Sequence, residues 1–412
     1  MTEDYHPFLT DKYQQKFELA QKALEDGEDQ TALYLAEDLL EERTLDVEVL
    51  NLCAVASTNL GDEPKARGLF AKALLLDPNN GAIHHNYAVL LEHAGATAEA
   101  VKHLQRALEL QPDFPEAYIN LGNARDEMGD VEGALQMYQE AIRRDPASTD
   151  GYFNLGYALN RLGRYQEAFD SFTSALEIDP DDGASLNGCG FALASMGRQE
   201  EALGFYDRGI AIDQDNPGFY FNRGLLHMRQ QRWEQALADF ERSVDLDAHF
   251  TDARLEKAGV LIELGRFDET LAFLQQTAEL EPGSPDIPFY RAVVYERQGA
   301  LDRALSALEE SLVLDPESIQ TLNNKGNVLI DLGRLEEAMN CFDAILARTE
   351  RYPLAHYNRA CVLALQGDAD NSIKALKKAT TLDPDLCREA KNDPDFENIR
   401  HAEPFVRLTR DC

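Results

Sequence analysis

Small and large apolar positions return along this chain every 34 residues, and each period reads as two short amphipathic helices. Proline marks the phase. Pro78, Pro112, Pro146, Pro180, Pro282, Pro316 and Pro384 lie 34 residues or a multiple of 34 apart, with Gln214, Ala248 and Glu350 at the three skipped places. With that proline at position 32, periods begin at 47, 81, 115, 149, 183, 217, 251, 285, 319 and 353, and one step back adds 13. Position 8 is Ala or Gly throughout, from Ala20 and Ala54 through Gly122 and Gly156 to Ala360. Position 20 is Ala in nine of eleven periods, Thr270 and Ser372 being the exceptions. Position 24 is large and apolar from Phe70 to Leu376, and Ala36 in the first period. Position 15 is Gly in ten periods and Gln231 in the other.

Each of these choices has a physical reason. Small residues at positions 8 and 20 let the two helices of a period approach closely. Gly at position 15 ends the first helix, because a left-handed backbone costs glycine little. Proline at position 32 cannot continue the second helix. Helices of about 13 residues are ~20 Å long. One such hairpin cannot bury its apolar face alone, whereas a stack of them shares a continuous core.

On that period and those positions the chain resembles the tetratricopeptide repeat family, most plainly in the stretch NLGNARDEMGDVEGALQMYQEAIRRDP at 120–146. The resemblance implies an all-α fold, a right-handed superhelical solenoid of antiparallel helix pairs, elongated rather than spherical. It predicts three parts: a lead-in at 1–12, eleven repeats over 13–386 with the first degenerate, and a closing segment at 387–412. The tail AKNDPDFENIRHAEPFVRL (390–408) is similar to the closing helix and turn that follows the last repeat in many bacterial members, with Phe396, Ile399 and Phe405 set to cover the last repeat. The count leaves no room within the sequence for an appended catalytic or DNA-binding domain.

Composition narrows the function. No apolar run reaches the ~18 residues a membrane span needs, so no membrane insertion is expected. The start, MTEDYHPFLTDKYQQ, has neither the basic head nor the apolar middle of a secretory signal, which predicts a cytoplasmic protein. The six cysteines have no Cys-x-x-Cys spacing and are expected to be reduced structural thiols. The formal charge is −35. That charge repels phosphate backbones and anionic lipid, so nucleic acid is excluded as the expected partner and a basic protein segment is favoured. Lysine is scarce: 12 of the 39 basic residues, with none between Lys102 and Lys257.

Nothing in the chain assembles a catalytic group, a cofactor site or a metal site. Gly188 and Gly190 form a partial Gly-x-Gly, but inside a predicted helix with no strand before it, as phosphate binding would need. His84, His85, His93 and His103 contain no i, i+4 pair. Acid pairs such as Glu41-Glu42 and Asp181-Asp182 fall at helix ends, without the shielded pocket that acid–base chemistry requires. Trp233, the only tryptophan, is expected in the core. A basic residue recurs at position 7 in five successive periods, as Arg223, Lys257, Arg291, Lys325 and Arg359, and salt bridges between repeats are the expected reason. A basic stripe for an acidic ligand is the alternative.

The resemblance places positions 2, 5, 6, 9, 12 and 13 of the first helix on the inner, concave wall. Position 6 carries Asn86, Asn120, Asn154, Asn222, Asn324 and Asn358, and position 9 adds Asn123 and Asn327. A carboxamide has two donor hydrogens and an acceptor, so a row of them can hold successive peptide units of an extended chain. Phe153, Tyr157, Phe191, Phe221, Phe289, Tyr290 and Tyr357 stand beside the row as candidate apolar anchors, and Glu48, Glu116, Asp150, Asp252 and Asp286 rim it. The row resembles that of the repeat domain of O-GlcNAc transferase, without that enzyme's catalytic part. The alternative is that these asparagines bond within the array. Repeats that clamp the carboxylate terminus of heat-shock chaperones need Lys at position 5, which is absent here. The reading is therefore a monomeric, non-enzymatic scaffold without cofactor or metal, binding an extended neutral or basic segment of another protein. A self-assembling, oligomeric scaffold is the alternative.

Overall fold

The structure is a computed structural model describing residues 6–410, with side chains from Lys12 onward. The described residues form 25 helices and no strand. They divide into two compact units, Met1–Gln214 and Asp215–Cys412. In the first unit, six hairpins follow one another, from His6–Glu25 with Asp29–Glu42 to Gly183–Ser195 with Gln199–Ile212. In the second there are five, from Pro217–Arg229 with Trp233–Leu246 to Pro353–Leu365 with Ala369–Leu382. The hairpin helices are 12–14 residues long apart from the first, whose 20 residues begin at His6. The lead-in expected at 1–12 thus lies partly outside the described residues and is helical from His6.

One turn chemistry closes the hairpins. At Gly61 the backbone is left-handed (φ 77°), the Gly61 N–H donates to Thr58 O at 3.0 Å, and the Asp62 N–H donates to Ser57 O at 2.9 Å. Those bonds satisfy the last carbonyls of the first helix. Asp62 then caps the second helix by accepting from Lys65 N at 3.3 Å. Gln231 adopts the same conformation (φ 57°) and its neighbours keep the same bonds, Gln231 N–H to Met228 O and Arg232 N–H to His227 O, both 2.9 Å. A non-glycine residue held there is strained, and the surrounding hairpin offsets the cost.

Within each hairpin the close approach is set by a matched pair. Positions 8 and 24 face each other, and glycine stands at position 8 where position 24 is aromatic: Gly122 with Tyr138, Gly156 with Phe172, Gly190 with Tyr206, Gly224 with Phe240 and Gly326 with Phe342. A methyl at Gly156 or Gly224 would come within 2.8 Å of the facing ring. Where position 24 is leucine, as in Leu104, Leu274, Leu308 and Leu376, position 8 is Ala88, Ala258, Ala292 and Ala360, all buried. Ala54 opposite Phe70 is the one departure. Gly188 and Gly190 are thereby accounted for, lying against the rings of Phe172 and Tyr206.

The last hairpin is closed by three short elements, Leu386–Ala390, the 3-10 turn Pro394–Ile399 and Glu403–Thr409. Phe396, Ile399 and Phe405 are buried against Ala360 and Leu376, and Tyr357 donates to Asp393 Oδ2 at 2.7 Å while its ring meets Phe396 edge-on at 5.6 Å. Cys53, Cys189, Cys341 and Cys361 are free and buried, as expected of structural thiols. Cys387 is disulfide-bonded, against the reduced state expected of it, and Cys412 lies outside the described residues.

Candidate functional site

The asparagine row falls on first helices of the hairpins, half-buried at Asn86, Asn120, Asn154, Asn222, Asn324, Asn327 and Asn358 and exposed at Asn123. Several of these carboxamides are engaged within the stack. Asn86 donates to Asn51 Oδ1 at 3.2 Å, Asn120 donates to His85 Nε2 at 2.9 Å, and Asn358 donates to Asn323 Oδ1 at 2.9 Å. Each bond runs from position 6 of one hairpin to position 5 of the preceding one. Because His85 Nε2 accepts, the ring proton sits on Nδ1, which points at Asn86 Oδ1 at 3.2 Å. Burial lowers the His85 pKa, with the Asn86 bond opposing it, which keeps the ring neutral. Four side chains over three hairpins, Asn120, His85, Asn86 and Asn51, thus form one chain of hydrogen bonds. Asn154 donates to its own helix at Asp150 O (2.9 Å), Asn123 Oδ1 accepts from the Tyr138 hydroxyl (2.8 Å), and Asn358 also reaches Asn327 Oδ1 (2.9 Å).

The aromatic candidates separate into two groups. Tyr157 and Phe191 are 53% and 45% exposed, and Phe153, Phe221 and Tyr290 are half-buried. Phe153 stacks near Tyr157 (6.4 Å), and Phe221 packs on Phe240 and Phe250 (5.9 and 4.8 Å). Phe289 and Tyr357, expected as anchors, are only 8% and 6% exposed. Phe289 belongs to the core of its hairpin, and Tyr357 is sealed by the closing segment, so neither offers its face to a partner.

A cleft of about 390 Å³ opens in the first unit beside Asn123, Asn154 and Tyr157. Its wall holds Glu92, Asp126, Glu127 and Arg161. Glu92 Oε1 and Asp126 Oδ1, together with Asn160 Oδ1 one hairpin further, are buried acceptors that meet no hydrogen-bond donor. All three stand at position 12 of successive hairpins. Burial and the charge of Glu127 push the Glu92 carboxyl up to about 7. Asp126 is paired through its other oxygen with Arg161. The family resemblance implies an inner-wall place for position 12. The in-phase polar run Glu92, Asp126, Asn160, at a position that is apolar in most other periods though Thr58 and Glu296 also occupy it, is the signal in the sequence.

Three models of one family match the sequence. One, described as tetratricopeptide repeat, matches residues 119–183, 271–319 and 323–386; a second, TPR repeat, matches 93–129 and 190–231; a third, tetratricopeptide repeat, matches 227–289. Together they span more than half of the chain. The chain belongs to the tetratricopeptide repeat family. Among solved structures, yeast Tom70 is 16% identical, with 93% of this chain and 98% of that chain covered and a TM-score of 0.51, which shows the shared fold. YrrB, described as a tetratricopeptide protein with an unusual peptide-binding site, is 24% identical over 45% of this chain and 95% of that one, TM-score 0.38. A thermophilic tetratricopeptide protein of Thermus thermophilus, TTC0263, is 23% identical over 44% and 99%, TM-score 0.38. No curated protein matches the sequence significantly.

In this tetratricopeptide chain the basic residues at position 7 are neutralised by second helices. Arg223 makes a two-point pair with the buried Asp239 (2.6 and 2.9 Å), and Arg291 pairs with Glu310 (2.6 Å), each within its own hairpin. Lys257 pairs with Glu241 (3.3 Å), Lys325 with Glu309 (3.0 Å) and Arg359 with Asp343 (3.1 Å), each in the hairpin before. The partners are mid-helix acids rather than helix-end acids such as Asp213 and Asp247. Among the described residues, no helix is long and apolar enough to cross a membrane.

Proposed function

We propose that this chain is a non-enzymatic scaffold whose first helices hold an extended, neutral or basic segment of another protein. The observation that carries this reading is the cleft of the first unit, where Glu92 and Asp126 hold acceptors without donors in the same wall as the exposed ring of Tyr157. A buried acceptor left unmet is costly, and a donor from a ligand removes that cost. Lysine or arginine supplies such donors, and a tyrosine face attracts their charge. The chain's net charge of −35 favours the approach of a basic segment. One N–H of Asn120, outside that cleft, is used in the stack, which leaves its carbonyl and second N–H for a peptide unit of the segment. The scaffold acts as a monomer, since the closing segment covers the apolar end of the last hairpin.

Affinity capture followed by mass spectrometry supplies a candidate partner, and binding of its extended segment is then measured directly. Glu92→Gln with Asp126→Asn, and separately Tyr157→Ala, should each weaken binding by about tenfold or more. Unchanged affinity in both variants, with helicity intact, would exclude this cleft as the site.

A further inference from the structure

The second helices carry a ladder of charge pairs that reverses sign at the end of the chain. In the hairpins ending at Leu246, Leu314 and Arg348, position 25 is an acid, and Glu241, Glu309 and Asp343 each hold the position-7 base of the following hairpin. In the last hairpin position 25 is Lys377. Lys374 and Lys378 flank it at positions 22 and 26 of the same helix, Ala369–Leu382. Residues spaced three and four apart share one face of a helix, and like charges there repel. All three lysines are exposed, and among the described residues none has an ion-pair partner within 4 Å; Lys374 donates to Asn371 Oδ1 at 3.3 Å and lies near enough to the Asp368 carboxylate for its charge to be felt there. They do not serve the helix dipole either, because the last turn of this helix holds no basic residue.

These lysines line a cleft of about 680 Å³ together with Arg351, His356 and Leu382. Arg351 is exposed and likewise without an ion-pair partner among the described residues. Glu350 is the one acid in the lining, and its backbone carbonyl is held by His356 Nε2 at 2.8 Å. A chain with 74 acids and 39 bases has carboxylates in excess, yet here three of its 12 lysines stand together outside any ion pair among the described residues.

We infer that this cleft docks an acidic segment of a partner protein, its carboxylates meeting Lys374, Lys377, Lys378 and Arg351 and an apolar side chain resting on Leu382 and the lysine stems. Lysine stems bury against apolar groups while the ammonium stays hydrated. Charge complementarity fixes the sign of the ligand, and the size of the patch fixes its length. A short segment touches the lysines alone, whereas a long polyanion such as nucleic acid also meets the strongly negative surface beyond them. The site is built on the second helix of the last hairpin with the linker and first helix before it, and shares no residue with the cleft beside Tyr157.

The test uses the full chain and a fluorescent peptide of about eight residues that alternates pairs of glutamate with single leucines. The chain as a whole repels acidic peptides, and the lysine variants show whether any binding belongs to this patch. We expect saturable binding at low salt that weakens in high salt. The combined variant Lys374→Glu, Lys377→Glu, Lys378→Glu should lose about tenfold or more in affinity, with the milder lysine-to-glutamine variant intermediate and far-ultraviolet circular dichroism unchanged in both. The inference is overturned by no binding of the peptide at low salt, by binding that both variants leave intact, or by tighter, variant-sensitive binding of a single-stranded oligonucleotide. Salt-sensitive dimerisation seen by light scattering and abolished by the variants would instead assign the cleft to a second copy of this chain, and would also overturn it.

Discussion

Asn358 donates to Asn323 Oδ1 at 2.9 Å, a bond from the first helix of the last hairpin to the first helix of the hairpin before it. The same step joins Asn120 to His85 and Asn86 to Asn51 in the first unit. These asparagines therefore hold neighbouring hairpins in register as well as edging a surface. Asn120→Ala and Asn358→Ala are each expected to lower stability by about 0.5–1.5 kcal/mol, the net worth of a half-buried hydrogen bond. Denaturant unfolding of each variant measures this. Midpoints equal to the parent's would show that the carboxamides are solvated and the bonds absent.

The pairing of position 8 with position 24 makes a second expectation. Gly326→Ala places a methyl against the ring of Phe342 in a fully buried site. Overpacking of this kind costs about 1–3 kcal/mol. Phe342→Leu alone opens space and also destabilises. The double variant recreates the Ala–Leu pair of Ala292 with Leu308 and should recover part of the combined loss, read as a favourable coupling in a double-mutant cycle. Additive losses would mean that the glycine is retained for another reason.

The fold was legible because its determinants are local. Proline, the left-handed glycine and the small residue at each helix contact announce themselves by identity, and the 34-residue phase repeats them. Gln231 was visible as the exception at position 15, and the structure gives it the backbone of the glycines around it. The site was less legible because it depends on how one hairpin steps onto the next. That step sends the N–H groups of Asn86 and Asn120 backward into the stack and turns Phe289 into the core. Tyr357 is buried for a different reason: its position matches Phe153 and Phe221, but only Tyr357 meets the closing segment. The match of glycine with a facing ring was present in the sequence at positions 8 and 24 and needed only the two positions to be compared.

The closing segment should be structural. Phe396 is fully buried between Tyr357 and Phe405. Phe396→Ala is expected to destabilise by about 3–5 kcal/mol. Removing residues 387–412 should bare Ala360 and Leu376 and cause association or fraying of the last hairpin, since terminal caps keep repeat arrays soluble. Light scattering and thermal melting read both effects. A truncated chain that stays monomeric and melts like the parent would refute the capping role.

Glu92 ties stability and binding to pH in a way that can be checked twice. Its carboxyl titrates at about 7 instead of 4.5, because burial and the charge of Glu127 disfavour the ionised form. The folded chain thus holds this proton more tightly than the unfolded one. The stabilising contribution of the protonated group is fully present below 4.5 and is lost as pH rises through 7. Glu92→Gln mimics the protonated form at every pH. It should be more stable than the parent near pH 8, by up to about 1 kcal/mol after allowance for solvent at a partly exposed group, and the gain should shrink toward about pH 5.5. A gain of constant size would show that Glu92 does not titrate in this range. The second check concerns the ligand. A lysine or arginine of a bound segment placed over Glu92 restores the ionised carboxylate, so binding near pH 6 should release a proton to the buffer. Calorimetry in buffers of differing ionisation heat measures that release. The parent should show it and Glu92→Gln should not; equal proton counts in the two would separate Glu92 from the bound segment even if the segment binds nearby.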